Sequence, residues 1–138
     1  MSIGSQNSAE ISHILGVDFG KAKVGLAFAD TEIKIAFKLE TLENNNELFA
    51  NLARTIAEKE IGMIVLGVTK YGNQEDEEKK NFGEKLKKEL GIPVEFQDEM
   101  FSTKLAQDNL KETGAKNIEK IDDAESAKII LQSFLDKS

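Results

Sequence analysis

The spacing of apolar positions along the chain changes once. Up to about residue 42 they come in short runs. Ile14 to Phe19 closes on Asp18 and is followed by Gly20. Val24 to Ala29 carries Gly25 near its start, and Ile33 to Leu42 alternates as Ile33, Ile35, Phe37 and Leu39. Runs of this length, parted by glycine or a few polar residues, predict three strands of an antiparallel meander. Gly20 to Lys23 and Asp30 to Glu32 are the expected connections. Beyond them the period becomes helical. Leu48, Phe49, Leu52, Ala53, Ile56 and Ala57 share one face, with Asn44 to Asn46 expected to supply a cap. Met63 to Val68 is continuously apolar, as in a strand covered on both faces. Glu75 to Leu90 predicts a helix with Phe82, Leu86 and Leu90 four apart and Gly91 as its stop. Pro93 opens a strand over Val94 to Gln97. A helix follows over Ser102 to Glu112, then a polar loop over Gly114 to Lys120. The last helix runs from Asp122 to Leu135 and is expected to bury Ala127, Ile130, Leu131 and Phe134.

The order β-β-β-α-β-α-β-α-α predicts an α/β fold. Three antiparallel strands lead into strand–helix–strand crossovers, giving a mixed five-stranded sheet flanked by helices. A length of 138 residues is that of one domain. Residues 1–12 read as a flexible N-terminal tail and 13–138 as the folded domain. No apolar run approaches the roughly 18 residues of a membrane span, and the polar start lacks signal-peptide features, so a cytoplasmic protein is expected.

Composition narrows the chemistry. Cysteine is absent and His13 is the single histidine, which excludes disulfides, thiolate catalysis and Cys- or paired-His zinc sites. A catalytic metal would have to be held by carboxylates, which suits magnesium or manganese. The net charge of −7 counts against nucleic-acid binding unless the lysines are segregated or cations neutralise an acidic site.

Each candidate residue has two readings. Asp18, in Asp18-Phe19-Gly20, either presents a carboxylate at a strand end or serves a hairpin turn. Asp-x-Gly also opens the first phosphate loop of actin-like ATPases, but this chain is too short for their two domains. Asp98-Glu99 is a pair of solvated turn charges, or Glu99 turns inward beside Asp18. Ser102 and Thr103 cap a helix or orient a phosphate. Asp122, three residues before Glu125, fits an N-terminal cap. That leaves Asp123, four residues before Ala127 and so on the helix face that meets the sheet, where a carboxylate needs a partner such as a divalent cation. Lys79, Lys80, Lys85, Lys87 and Lys88 either solvate a helix face or form a basic rim around an acidic site.

Taken in order, these stretches resemble the motifs of the YqgF family, Holliday-junction-resolvase-like proteins also described as pre-16S rRNA nucleases. Ile14-Leu15-Gly16-Val17-Asp18-Phe19-Gly20 through Val24-Gly25-Leu26-Ala27 is similar to its opening strand pair. Ile64-Val65-Leu66-Gly67 with Gly72 resembles its middle motif. Asp98-Glu99 before Ser102-Thr103 and Ala106 resembles its Asp-Glu-Arg-x-Thr-Thr segment. Asp123 with Ser126-Ala127 and Ile129-Ile130-Leu131-Gln132 resembles its closing helix. Met100 stands where the family usually has arginine, Ala22-Lys23 where it has Lys-Arg, and Thr69 where it has proline.

The resemblance implies an RNase H-like fold and a nuclease. Asp18, Glu99 and Asp123 map to its acids for metal-dependent phosphodiester cleavage and would hold Mg2+ or Mn2+. Lys23, Ser102 and Thr103 would position phosphate. The implied partner is nucleic acid, either an rRNA precursor or branched DNA, with no membrane and with the protein a monomer or homodimer. The alternative is a catalytically impaired RNA- or ribosome-associated domain of the same fold.

Overall fold

The three N-terminal apolar runs pair as an antiparallel meander of β1 (His13–Phe19), β2 (Lys23–Asp30) and β3 (Ile35–Glu43). The computed structural model describes residues 12–68, 74–98 and 122–137, side chains of 74–76 excepted. After α1 (Leu48–Glu58), the strand β4 (Met63–Val68) returns parallel to β1 on its free side. After α2 (Gln74–Leu90), β5 (Val94–Asp98) lies parallel to β4. The sheet order is therefore β3-β2-β1-β4-β5, the mixed five-stranded arrangement expected. The last helix, α3 (Asp123–Lys137), closes the described chain. The helix expected over Ser102 to Glu112 and the loop after it lie outside the described residues.

Strand alternation gives the sheet two apolar faces. On one, Leu15, Val17, Leu26 and Leu66 pack with Leu48 and Leu52 of α1 and with Phe82 and Leu86 of α2. On the other, Ile14, Ala27, Ala29, Ala36 and Val65 meet Ala127, Ile130, Leu131 and Leu135 of α3; Phe134, expected to be buried, is only half-buried against them. Several sheet residues under α3 are small, Gly16, Ala27, Ala29 and Ala36 among them, so the helix sits close. A Cβ at Gly16 would lie 2.8 Å from the Leu131 Cβ and 3.0 Å from the Ala127 carbonyl oxygen. The Gln132 amide extends this contact to the sheet edge, accepting from the Ala36 N–H (2.9 Å) and donating to the Lys34 carbonyl (3.1 Å).

Two local expectations are corrected. β3 starts at Ile35 rather than Ile33, because residues 31–34 form a turn with Lys34 at φ 62°. Ile33 in that turn and Ile35 and Phe37 in the strand are exposed (59%, 50% and 55%). A register shift opposite Leu26 and Ala27 changes the phase of the strand. Ala36 and Leu42 would share a face in a regular strand, yet they join opposite core clusters. Asn44 to Asn46 do not cap α1, whose N-cap position is Glu47 without a side-chain cap bond. Asn45 Oδ1 instead accepts from the Glu47 N–H (2.9 Å), and Asn44 Nδ2 donates to the Gly20 carbonyl (2.6 Å). That second bond ties the turn before α1 to the end of β1. Gly91, at φ 65°, stops α2 as expected. Among the described residues no helix is long and apolar enough to cross a membrane.

Candidate active site

The parallel strands β1, β4 and β5 end on the same edge of the sheet, the edge at which open α/β sheets offer room for ligands. Asp18 is the penultimate residue of β1 and shares the α3 face with Ile14 and Gly16. Its cross-strand partner is Gly25. The first residue of α3 comes down on that glycine. A Cβ at Gly25 would overlap the Asp123 carbonyl and approach the Ala124 nitrogen to 2.7 Å. Gly25 thus lets the helix start touch the strand pair that carries Asp18, and it brings residues 18 and 123 to one place. Lys23 lies two residues before Gly25 on the same face and is exposed.

A third position belongs to this row. β1 and β4 stay in register to Val17–Leu66, so Asp18 and Gly67 follow at the next step, and Gly67 pairs with Gln97 of β5. Asp18 and Gln97 therefore flank a residue without a side chain, about 10 Å apart at two strand spacings. Gln97 is buried (5% exposed), and its Oε1 has no hydrogen-bond partner among the described residues. A buried acceptor of this kind calls for a donor, a water or a cation. Two carboxylates and an amide oxygen are hard ligands, a set that fits magnesium or manganese. No group of three acidic or histidine side chains that could hold a metal ion is found among the described residues. Glu99, Ser102 and Thr103 lie outside them.

Asp122 is explained by the helix. Its Oδ1 accepts from the Glu125 N–H (2.7 Å) and its Oδ2 from the Lys38 ammonium (3.0 Å). The Glu125 backbone bond, then the bond to Lys38, hold its carboxyl below the usual carboxylate range. A lowered pKa contributes stability that is present above the unfolded value near pH 4 and is lost as pH falls through the folded one. Asp122→Ala is expected to cost about 1 kcal/mol at pH 7, the usual worth of such a cap. In urea titrations the gap between variant and wild type should narrow as pH falls below the ordinary carboxylate range.

The other side of the same sheet edge is aromatic. Phe19 stacks on Phe82 (centroids 4.2 Å apart), and Phe82 meets Phe49 at 5.6 Å. These rings line a cleft of about 440 Å³ with Asn46, Asn81 and Lys85, whose ammonium lies 4.7 Å from the Phe49 ring centre. Lys21 and Lys79 line an adjoining cavity of about 130 Å³ beside Phe19. The α2 lysines thus divide: Lys79 and Lys85 border these cavities, while Lys87 pairs with Glu84 at 3.4 Å. The spacing of Phe49 and Phe82 announced core positions only, because nothing local says that α1 and α2 meet at the end of β1. His13, at the opposite end of β1, faces Asp30 (3.8 Å) and Phe28 and takes no part in this site.

A family model described as RuvX, Holliday junction resolvase, matches residues 12–137. Curated relatives named "Putative pre-16S rRNA nuclease" include one from Anaeromyxobacter sp. (strain Fw109-5). It is 36% identical over 132 residues, covering 88% of this chain and 95% of the relative. Another, from Maridesulfovibrio salexigens, is 32% identical over 130 residues, covering 88% and 96%. Among solved structures, T. thermophilus RuvC in complex with a Holliday junction substrate matches with a TM-score of 0.57 at 15% identity, over 90% of this chain and 93% of that one. Fowlpox virus resolvase with its Holliday junction DNA matches with a TM-score of 0.56 at 14% identity, over 91% and 97%. Those two likenesses carry the RNase H-like fold, and the family match spans nearly every residue: this chain belongs to the RuvX (YqgF) family of nucleases.

Proposed function

We propose that the protein hydrolyses phosphodiester bonds in structured nucleic acid with the help of divalent cations, Asp18, Glu99 and Asp123 being the carboxylates that hold them. The observation that carries this reading is the seating of Asp123 on Gly25, the strand partner of Asp18. When bound, Mg2+ or Mn2+ activates the attacking water and stabilises the leaving oxygen. The chain's own work is placement. β1 and the start of α3 hold two carboxylates on rigid elements, and Lys23 offers a cation to phosphate on the same face. Ser102 and Thr103 would orient that phosphate.

The names of the curated relatives favour an rRNA precursor as substrate, and the family description favours branched DNA. Cutting two strands of a junction calls for a symmetric homodimer, whereas trimming RNA needs one copy. Met100, in place of the family arginine, favours a second reading: a domain that binds RNA or the ribosome without turnover.

Incubation with a precursor 16S rRNA fragment and with a four-way DNA junction separates these readings. Cleavage is expected with Mg2+ or Mn2+, and only background with EDTA or in Asp123→Asn. Cleavage that survives chelation or that substitution overturns the proposal. Salt-dependent binding without turnover in any metal selects the second reading.

A further inference from the structure

Phe19 follows Asp18 directly, and successive strand residues face opposite sides of a sheet. The carboxylate and the aromatic cleft therefore sit back to back around one strand end. We propose that this cleft receives a single unpaired nucleobase from the strand whose scissile phosphodiester lies at Asp18. The inference rests on the nuclease reading and adds a substrate class to it: nucleic acid that is single-stranded or splayed open at the point of cleavage.

Three observations carry it. The first is the aromatic wall. Phe82 is core (6% exposed), but Phe19 and Phe49 are only half-buried and border the cleft, and an aromatic face stacks any base without regard to sequence. The second is the polar rim, where Asn46 and Asn81 each carry an amide that can give and accept hydrogen bonds with a base edge. The third is charge. In a chain of net charge −7, the two adjoining cavities are lined, among the described residues, by Lys21, Lys79 and Lys85 against one acid, Glu78. That excess is complementary to the phosphates on either side of an inserted base. At about 440 Å³ the cleft falls in the range of small-ligand sites, above the lower bound of roughly 300 Å³. A base paired inside a duplex cannot reach it without leaving the stack.

The test uses the full-length protein and eight-nucleotide single strands, RNA and DNA in separate arms, with each base in turn replaced by an abasic position. Binding is read by fluorescence anisotropy in EDTA, so that it does not depend on cleavage. One abasic position is expected to weaken wild-type binding about tenfold. Phe49→Leu, which keeps an apolar side chain but loses the ring, should weaken the intact strand by a similar factor and lose its sensitivity to that position. Asn81→Ala should shift affinity in the same direction. An equal response at every abasic position, no measurable binding, or Phe49→Leu behaving as wild type would overturn the cleft. If base-dependent binding holds while metal-dependent cleavage is never seen, the cleft stands as a nucleic-acid site and only the nuclease reading falls.

Discussion

Asp18→Asn is expected to reduce metal-dependent cleavage by at least about a thousandfold while leaving the fold intact. Asparagine matches aspartate in volume and still accepts hydrogen bonds through its amide oxygen, so β1 keeps its pairing with β2 and β4. What disappears is a negative charge on a half-buried strand end beside the start of α3. Without that charge a divalent cation would lose the anchor on the central strand that the proposed function assigns to Asp18. The wild-type protein should therefore gain thermal stability from Mn2+, by about 2.7 kcal/mol at a hundred times the dissociation constant, and the variant should gain much less. Calorimetry with and without Mn2+ reads this separately from activity. Equal Mn2+ stabilisation of both proteins would show that Asp18 holds no metal.

The second large effect is expected at Gly25. In Gly25→Ala the new methyl group overlaps the Asp123 carbonyl, a backbone atom that cannot swing aside. Either the helix start lifts off the sheet or β2 is pushed down, at a cost of about 2–4 kcal/mol, in the upper range for overpacking. Both movements separate Asp123 from Asp18. Catalysis should accordingly be lost even at temperatures where urea titration shows the variant folded. A Gly25→Ala protein with wild-type stability and cleavage would remove the contact on which the site is built. The two substitutions differ in kind: one removes charge and spares packing, the other disturbs packing and spares every charge.

Much of the architecture is legible in the residues. The period-two and period-3.6 runs mark the strands and helices, Met63 to Val68 announces a strand covered on both faces, Gly91 stops α2 and Asp122 caps α3. These features are local, because each depends on dihedral preferences and side-chain spacing within one element. The family motifs add the identity of the acids at positions 18 and 123, and the strand end at which Asp18 stands.

The rest was decided by long-range packing. Alternation in Ile33, Ile35 and Phe37 predicted a strand from Ile33, but Ile33 falls in the turn before β3, and Ile35 and Phe37 stand exposed on the edge strand of the sheet. Asn44 to Asn46 looked like a helix cap, yet Asn44 is drawn to the Gly20 carbonyl by the turn it closes. No spacing in the chain shows that Gly25 must be bare because the Asp123 carbonyl rests on it. Nor does any spacing put Phe49 and Phe82 beside Phe19 in an open cleft. Sequence by itself determined which segments become strands and helices and which acids stand at their ends. Register between strands and the docking of helices decided which of those ends meet, because both depend on contacts between residues far apart in the chain and not on the preferences of either segment alone.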